Sequence, residues 1–180
     1  LFEDEKMYQA LQKKLMNIRR DTISIDRALP AVAQMLGTQQ KKTYLVLIQN
    51  PLELRPTGGF IGSFALLTFD KGKLLDVQVQ DSYAADNLLK GKVEPPDDLQ
   101  KYLSEKQWYF RDSNWSPDFP KTARQAAWFI EKEMGIKTDG TIGIDANTLQ
   151  ELLRAVGPVR VADYDNESVS VENIFERLQN

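Results

Sequence analysis

The sequence predicts an α/β fold, a layered mixed β-sheet with helices on both faces, preceded by an N-terminal helical segment. Two patterns carry that expectation. Helix-period and strand-like stretches alternate along most of the chain, and one pair of strands is joined by a tight turn, which brings antiparallel pairing into the sheet. At 180 residues the chain suits one main domain. Residues 1–40 are expected as a helical hairpin and 41–180 as the α/β domain.

Tyr8, Leu11, Leu15 and Ile18 recur at three- and four-residue steps, which makes residues 1–20 an amphipathic helix with a narrow seam. Asp21 is expected to cap a second helix through Ile25, Leu29, Val32 and Leu36, interrupted at Pro30 and ending at Gly37. "TYLVLIQ" (43–49) is a continuous apolar run of strand length, suited to a central strand. "FALLTF" (64–69) and "LLDVQVQD" (74–81) flank the turn "DKGK" and read as a hairpin. The second of these alternates apolar and polar residues, so one of its faces should meet water. Residues 82–118 are long for a connection, which favours a functional loop, with a short helix near 97–104. Ser116 and Pro117 are expected to open a helix whose stripe includes Phe119, Ala126 and Ile130 and which Gly135 ends. "GTIGID" (140–145) reads as a strand. Leu149, Leu152, Leu153 and Val156 mark a helix over 146–156, stopped by Gly157-Pro158. A short strand "VRV" and a final helix with Val171, Ile174, Phe175 and Leu178 complete the chain.

Composition narrows the chemistry. The net charge of −3 lacks the basic excess of a nucleic-acid binder, so no nucleic acid is expected as a partner. No apolar run is long enough to span a membrane. The chain starts at Leu1 with neither methionine nor a signal-peptide pattern, and reads as a piece of a longer protein. Without Cys there is no disulfide, thiol nucleophile or thiolate zinc site. Without His, imidazole acid–base chemistry and the Ser-His-Asp triad are excluded within this chain. Carboxylates, Arg, Lys, Tyr and hydroxyls remain, with an oxygen-ligated ion such as Mg²⁺ as the compatible metal.

Three clusters fit that chemistry. In "LRPTGGFIGS" (54–63), Gly58 and Gly59 allow positive φ and close approach of backbone N–H groups to an anion, and Arg55 offers a bidentate charge suited to phosphate. A tight strand connection would use the same glycines, and neither the Walker nor the dinucleotide spacing is present. "WYFRDSNWSPDFP" (108–120) sets Arg111, Asp112 and Asn114 among large aromatics ahead of a helix start, where an anion, a local ion pair or a stacked arginine would each fit. Asp118 reads there as an ordinary cap. Asp81 and Asp86, in "QDSYAADN", are candidate ligands for a divalent cation, against the plain reading of solvated loop acids. Arg124, two turns into the capped helix, reads as a surface residue and is carried as a further phosphate contact.

"LIQNPLELRPTGGFIGSFALLTFDKGKL", "WYFRDSNWSPDFPKTAR" and "DGTIGIDANTLQELLRAVGPVRV" together resemble the bacterial domain-of-unknown-function family 4012 over about residues 43–180. More remotely, "MGIKTDGTIGIDANTLQELLRAVGPVRV" is similar to the LytR-CpsA-Psr group of cell-envelope phosphotransferases. That resemblance implies an α/β fold with an apolar groove for a polyprenyl chain. It also implies Mg²⁺ as cofactor and transfer of a phosphate-linked glycopolymer on the extracellular face of a bacterial membrane, with an anchor outside these residues. Arg55 resembles the arginine that this group places on a pyrophosphate. The group's Arg-Ser-Asp reads Arg55-Pro56-Thr57 here, its Pro-Arg-Asp is reduced to Asp81-Ser82, and its later arginine-rich segment would fall beyond Asn180.

Two functions are therefore expected. The first is an envelope protein that binds or transfers a polyprenyl (pyro)phosphate-linked glycoconjugate. In it Arg55, Arg111 and Asp112 are catalytic, Arg55, Gly58, Gly59, Arg111, Asn114 and Arg124 contact phosphate, and Asp81 and Asp112 hold Mg²⁺. The second is a non-catalytic extracellular scaffold or binding module with the same fold. A cytosolic nucleotide-binding enzyme is the weaker third, because no nucleotide fingerprint matches.

Overall fold

The computed structural model describes residues 2–161 and 166–177, with the side chains of residues 2–6 and of Phe175 left aside. Leu178, expected in the last helix, lies outside the described residues.

Phe2–Met35 is one α-helix, α1. The expected hairpin is absent, and Pro30 lies inside the helix. Just past the expected break, two hydroxyls are turned inward to the helix backbone. Thr22 donates to the Ile18 carbonyl and Ser24 to that of Arg20, each one turn back. Asp21 therefore caps nothing, and the chain runs on.

Four strands form the main sheet in the order β3-β2-β1-β4: β1 Lys42–Asn50, β2 Phe60–Asp70, β3 Lys73–Asp81 and β4 Gly140–Asp145. β4 runs parallel to β1 in a register that sets Val46 against Ile142 and Gln49 against Asp145. Only two residues, Lys71 and Gly72, join β2 to β3, so that pair is an antiparallel hairpin. The mixed sheet of the expected α/β fold is thus present. β2 starts at Phe60, four residues before the predicted run, and takes in Ile61, Gly62 and Ser63. β3, an edge strand, departs from expectation: Leu75, Val77 and Val79 are exposed along with Asp76 and Gln78, so neither of its faces is covered there.

The long connection folds into α2 (Ser82–Asp86), α3 (Asp97–Leu103) and a 3-10 turn at Phe110–Asp112. α4 spans Phe119–Met134, so Asp118 rather than Ser116 is its N-cap residue. Ser116 stays outside the helix, its Oγ accepting the Asp118 N–H and its carbonyl accepting the Thr122 hydroxyl. Gly135 closes α4 in the left-handed region, as expected. α5 is Ala146–Val156, capped by Asp145, whose carboxylate accepts both the backbone N–H and the hydroxyl of Thr148. β5 (Val159–Val161) pairs antiparallel with β6 (Glu167–Val169), a strand the sequence did not announce, and α6 is Ile174–Arg177.

The chain divides into two compact units, Leu1–Lys42 with Phe69–Leu75, and Thr43–Thr68 with Asp76–Asn180. In the first, the Lys71 and Gly72 N–H groups donate to the carbonyls of Gly37 and Leu36, tying the helix end to the hairpin turn. The second holds the core. Leu45 and Leu47 of β1, Ile61 and Phe64 of β2, Phe110, and Phe129 of α4 are fully buried there. Phe64 and Phe110 meet edge to face at 5.0 Å, which fixes the 3-10 turn over the sheet.

Candidate functional site

The glycine segment turns back on the end of β1. Gly59 has φ +123°, and a Cβ there would lie 2.0 Å from the Asn50 carbonyl oxygen. Gly58, at φ +116°, faces the Gln49 side chain in the same way, with 3.1 Å to its Oε1. Gly59 therefore serves a backbone-to-backbone approach that no side chain permits, and Gly58 leaves room for the Gln49 amide. Asn114, fully buried, donates to the Gly59 carbonyl at 2.7 Å, and Gln49 donates to the same oxygen at 3.3 Å. Asn114 holds the loop in place.

That loop carries Arg55 to the 3-10 turn. Its Nη2 donates to Asp112 Oδ1 at 3.1 Å and its Nη1 to the Leu54 carbonyl. The other oxygen of Asp112 faces Arg111 Nε at 3.6 Å, and Arg111 Nη1 donates to Asp86 Oδ2 at 2.7 Å. A continuous chain, Arg55–Asp112–Arg111–Asp86, thus joins the β1–β2 loop, the 3-10 turn and α2. Its arginine side chains are 15% and 16% exposed and both carboxylates 3%. Aromatic rings complete the packing: Arg55 lies over Phe60, and Arg111 over Tyr109 and Tyr83. Trp108 anchors the turn by donating its indole N–H to the Asp112 carbonyl. Arg55, Arg111 and Asp112, far apart in sequence, do come together.

Burial acts on Asp86 and Arg111 of this cluster. It holds the Asp86 carboxyl above the usual range despite the bond from Arg111. Burial works against the Arg111 cation too, but Asp86 and Asp112 outweigh it and keep the guanidinium charged. Glu133 of α4, which sequence reasoning missed, faces the same cluster. Burial first, and then the charge of Asp86, push its pKa up to about 8. Neither carboxyl oxygen of Glu133 finds a hydrogen-bond partner among the described residues.

A cleft of about 310 Å³ opens at the carboxyl ends of the parallel strands β1 and β4, the usual ligand position in an α/β sheet. Gln49, Asn50, Glu53, Ser63 and Asp81 supply its polar lining, and Phe60 separates it from Arg55. Sequence reasoning named only Asp81 among these. The available signal was the amide pair Gln49-Asn50 that ends an otherwise apolar strand. A second groove of about 290 Å³ lies between Trp108 and Trp115, beside Asp98, Ser113 and Lys121. Arg124 is exposed on α4 and lines neither space.

The carboxylates named for Mg²⁺ are not assembled as a metal site. Asp81 lines the cleft, where its Oδ1 accepts the Tyr83 N–H, whereas both oxygens of Asp112 face arginines. Among the described residues no group of three acidic side chains is placed to hold a metal ion. This donor set does not fit the ion.

Residues 39–180 match the family described as protein of unknown function, DUF4012. The chain belongs to that family. The match takes in the glycine segment, the Arg–Asp chain and the cleft, so every feature of the candidate site lies within the DUF4012 region. Neither a curated protein nor a solved structure matches the chain. Among the described residues no helix is long and apolar enough to cross a membrane.

Proposed function

We propose that this DUF4012 domain is a non-catalytic module of the bacterial cell envelope, that it recognises a glycopolymer on the extracellular face of the membrane, and that the sugars sit in the cleft at the end of β1. One observation carries the choice of binding over transfer. Arg55 and Arg111, the groups that phosphoryl transfer would require, are half-buried and paired with the buried Asp112 and Asp86, so their charge is balanced inside the fold. The cleft itself supports the same reading. A diphosphate arriving there would meet Glu53 and Asp81, both acidic. Sugar hydroxyls, by contrast, donate to carboxylates and exchange hydrogen bonds with amides such as Gln49 and Asn50. The envelope setting rests on the similarity to the LytR-CpsA-Psr group, whose Arg-Ser-Asp and Pro-Arg-Asp motifs are incomplete here.

Convergence of Arg55 and Arg111 on one aspartate favours a second reading, transfer from a polyprenyl (pyro)phosphate carrier, in which the phosphates take the place of Asp112. Calorimetric titration with purified cell-wall glycan fragments, beside an assay for phosphate release from a polyprenyl-diphosphate-linked glycan with Mg²⁺, separates the two. The expected result is saturable glycan binding, weakened about tenfold in Asp81→Asn or Glu53→Gln by the loss of one or two hydrogen bonds, and no release. Release that disappears in Arg55→Ala would establish transfer instead. Failure of both assays would refute both readings.

A further inference from the structure

The 34-residue α1 carries a pattern that the cleft does not explain. Tyr8, Leu15, Thr22 and Leu29 recur every seven residues. Leu11, Ile18, Ile25 and Val32 repeat with the same period, three residues later, and Leu36 continues the first series. These are the a and d positions of a sustained heptad repeat, with Thr22 the one polar exception. A strict period of seven keeps a stripe on one side only if two helices wind around each other. Among the described residues nothing covers the stripe: its apolar members through Val32 are 46–61% exposed. Helices in proteins draw most of their stability from packing such a face, so α1 is built for a partner helix.

Charge beside the stripe selects the partner and its direction. Lys14 and Asp21 occupy g positions, and Arg19 and Asp26 occupy e positions. A parallel pair of α1 helices would set Lys14 against the partner's Arg19 and Asp21 against the partner's Asp26, like charges throughout. An antiparallel pair behaves differently. With Ile18 packed on the partner's Leu29 and Leu15 on the partner's Val32, Arg19 falls beside the partner's Asp26, and by symmetry this happens twice. The same register stacks the stripe continuously from Leu11 to Leu36.

We propose that α1 is a self-association element that pairs with α1 of a second copy of this chain as an antiparallel two-stranded coiled coil. Sedimentation equilibrium of the 1–180 chain tests it, with a dimer of twice the chain mass expected. Arg19→Asp and Asp26→Arg, each alone, should raise the dimer Kd about tenfold, and the double exchange should restore it. These exposed positions leave the helix content unchanged, which circular dichroism verifies. Ile18→Asp should give a monomer. A chain that stays monomeric at every loading concentration overturns the proposal, whether or not it binds anionic vesicles through α1. Single charge reversals that tighten the dimer overturn it in favour of parallel pairing.

Discussion

Glu133 shows how far a single carboxyl can depart from its appearance in sequence. In "IEKEMG" it looks like one more charge on a solvated helix end, yet it is buried against the turn and α2, elements distant from it in the chain. Nothing local signals this, because its burial is decided by where Phe110 and Asp86 arrive. Arg55 and Arg111 were legible as arginines worth watching, since one sits beside glycines and the other among aromatics. The adjacent pair of Arg111 with Asp112 was readable as a local ion pair, but the pairing of Arg55 with Asp112 and of Arg111 with Asp86 was not, because pairing at such separation is a product of the fold. Glu133 makes a measurable prediction. Its folded pKa is raised to about 8 from an ordinary 4.5, first by burial and then by Asp86. Between those values the native state keeps a proton that the unfolded chain has lost, so stability falls as pH rises through the window and levels off above about pH 8. A tenfold change in proton affinity is worth about 1.4 kcal/mol, so the loss cannot exceed about 5 kcal/mol. Urea unfolding between pH 5 and pH 8 is expected to show this decline, with Glu133→Gln flattening it and raising stability at the alkaline end. An equally steep profile in the variant would remove the buried carboxyl as its cause.

Elements announced themselves where one physical signal dominated. The apolar run of β1 and the helix of α5 with its stop at Gly157 form as the sequence indicates, because each needs only its own residues, although Leu152 and Val156 of the α5 stripe are exposed. β6 and α2 are too short to carry a period, and α1 runs as one helix through the break expected at Asp21 and the interruption expected at Pro30. The β1–β2 loop lies between these cases. Its glycines were readable as a special backbone, but their purpose, contact with the end of β1, needed the folded chain. Substitution separates two costs that such glycines carry. Gly59→Ala would drive a methyl group to 2.0 Å from the Asn50 oxygen at φ +123°, whereas Gly91, at φ +82°, has nothing within 4 Å of its Cβ position. Gly91→Ala is expected to lose only about 1 kcal/mol of backbone strain, and Gly59→Ala at least about 2 kcal/mol more, since Asn50 and the loop must move apart. Denaturant midpoints measure both. Equal losses would mean that the loop relaxes freely and that the close approach is not needed.

At the scale of the whole molecule, the two units rest on different physics. Residues from Leu45 to Ile136 supply the buried apolar cluster, all of it in the second unit, while α1 is a long helix with an uncovered stripe. The family match, which begins at residue 39, falls close to the same division. Removing residues 1–36 should therefore leave a chain that folds on its own core. The cost includes the Ala33, Gln34 and Leu36 carbonyls that accept from Thr38, Gly37 and Gly72, together with loss of the self-association element. Trp108, Trp115 and Trp128 all lie in the second unit and report on it without interference. Their fluorescence is expected to follow one cooperative unfolding transition in the shortened chain, within about 1 kcal/mol of the full-length value once both are compared as monomers, because surface losses of this kind are small. Far-ultraviolet circular dichroism should meanwhile lose the helical signal of α1. A shortened chain that unfolds broadly or not at all would show that α1 supports the core directly.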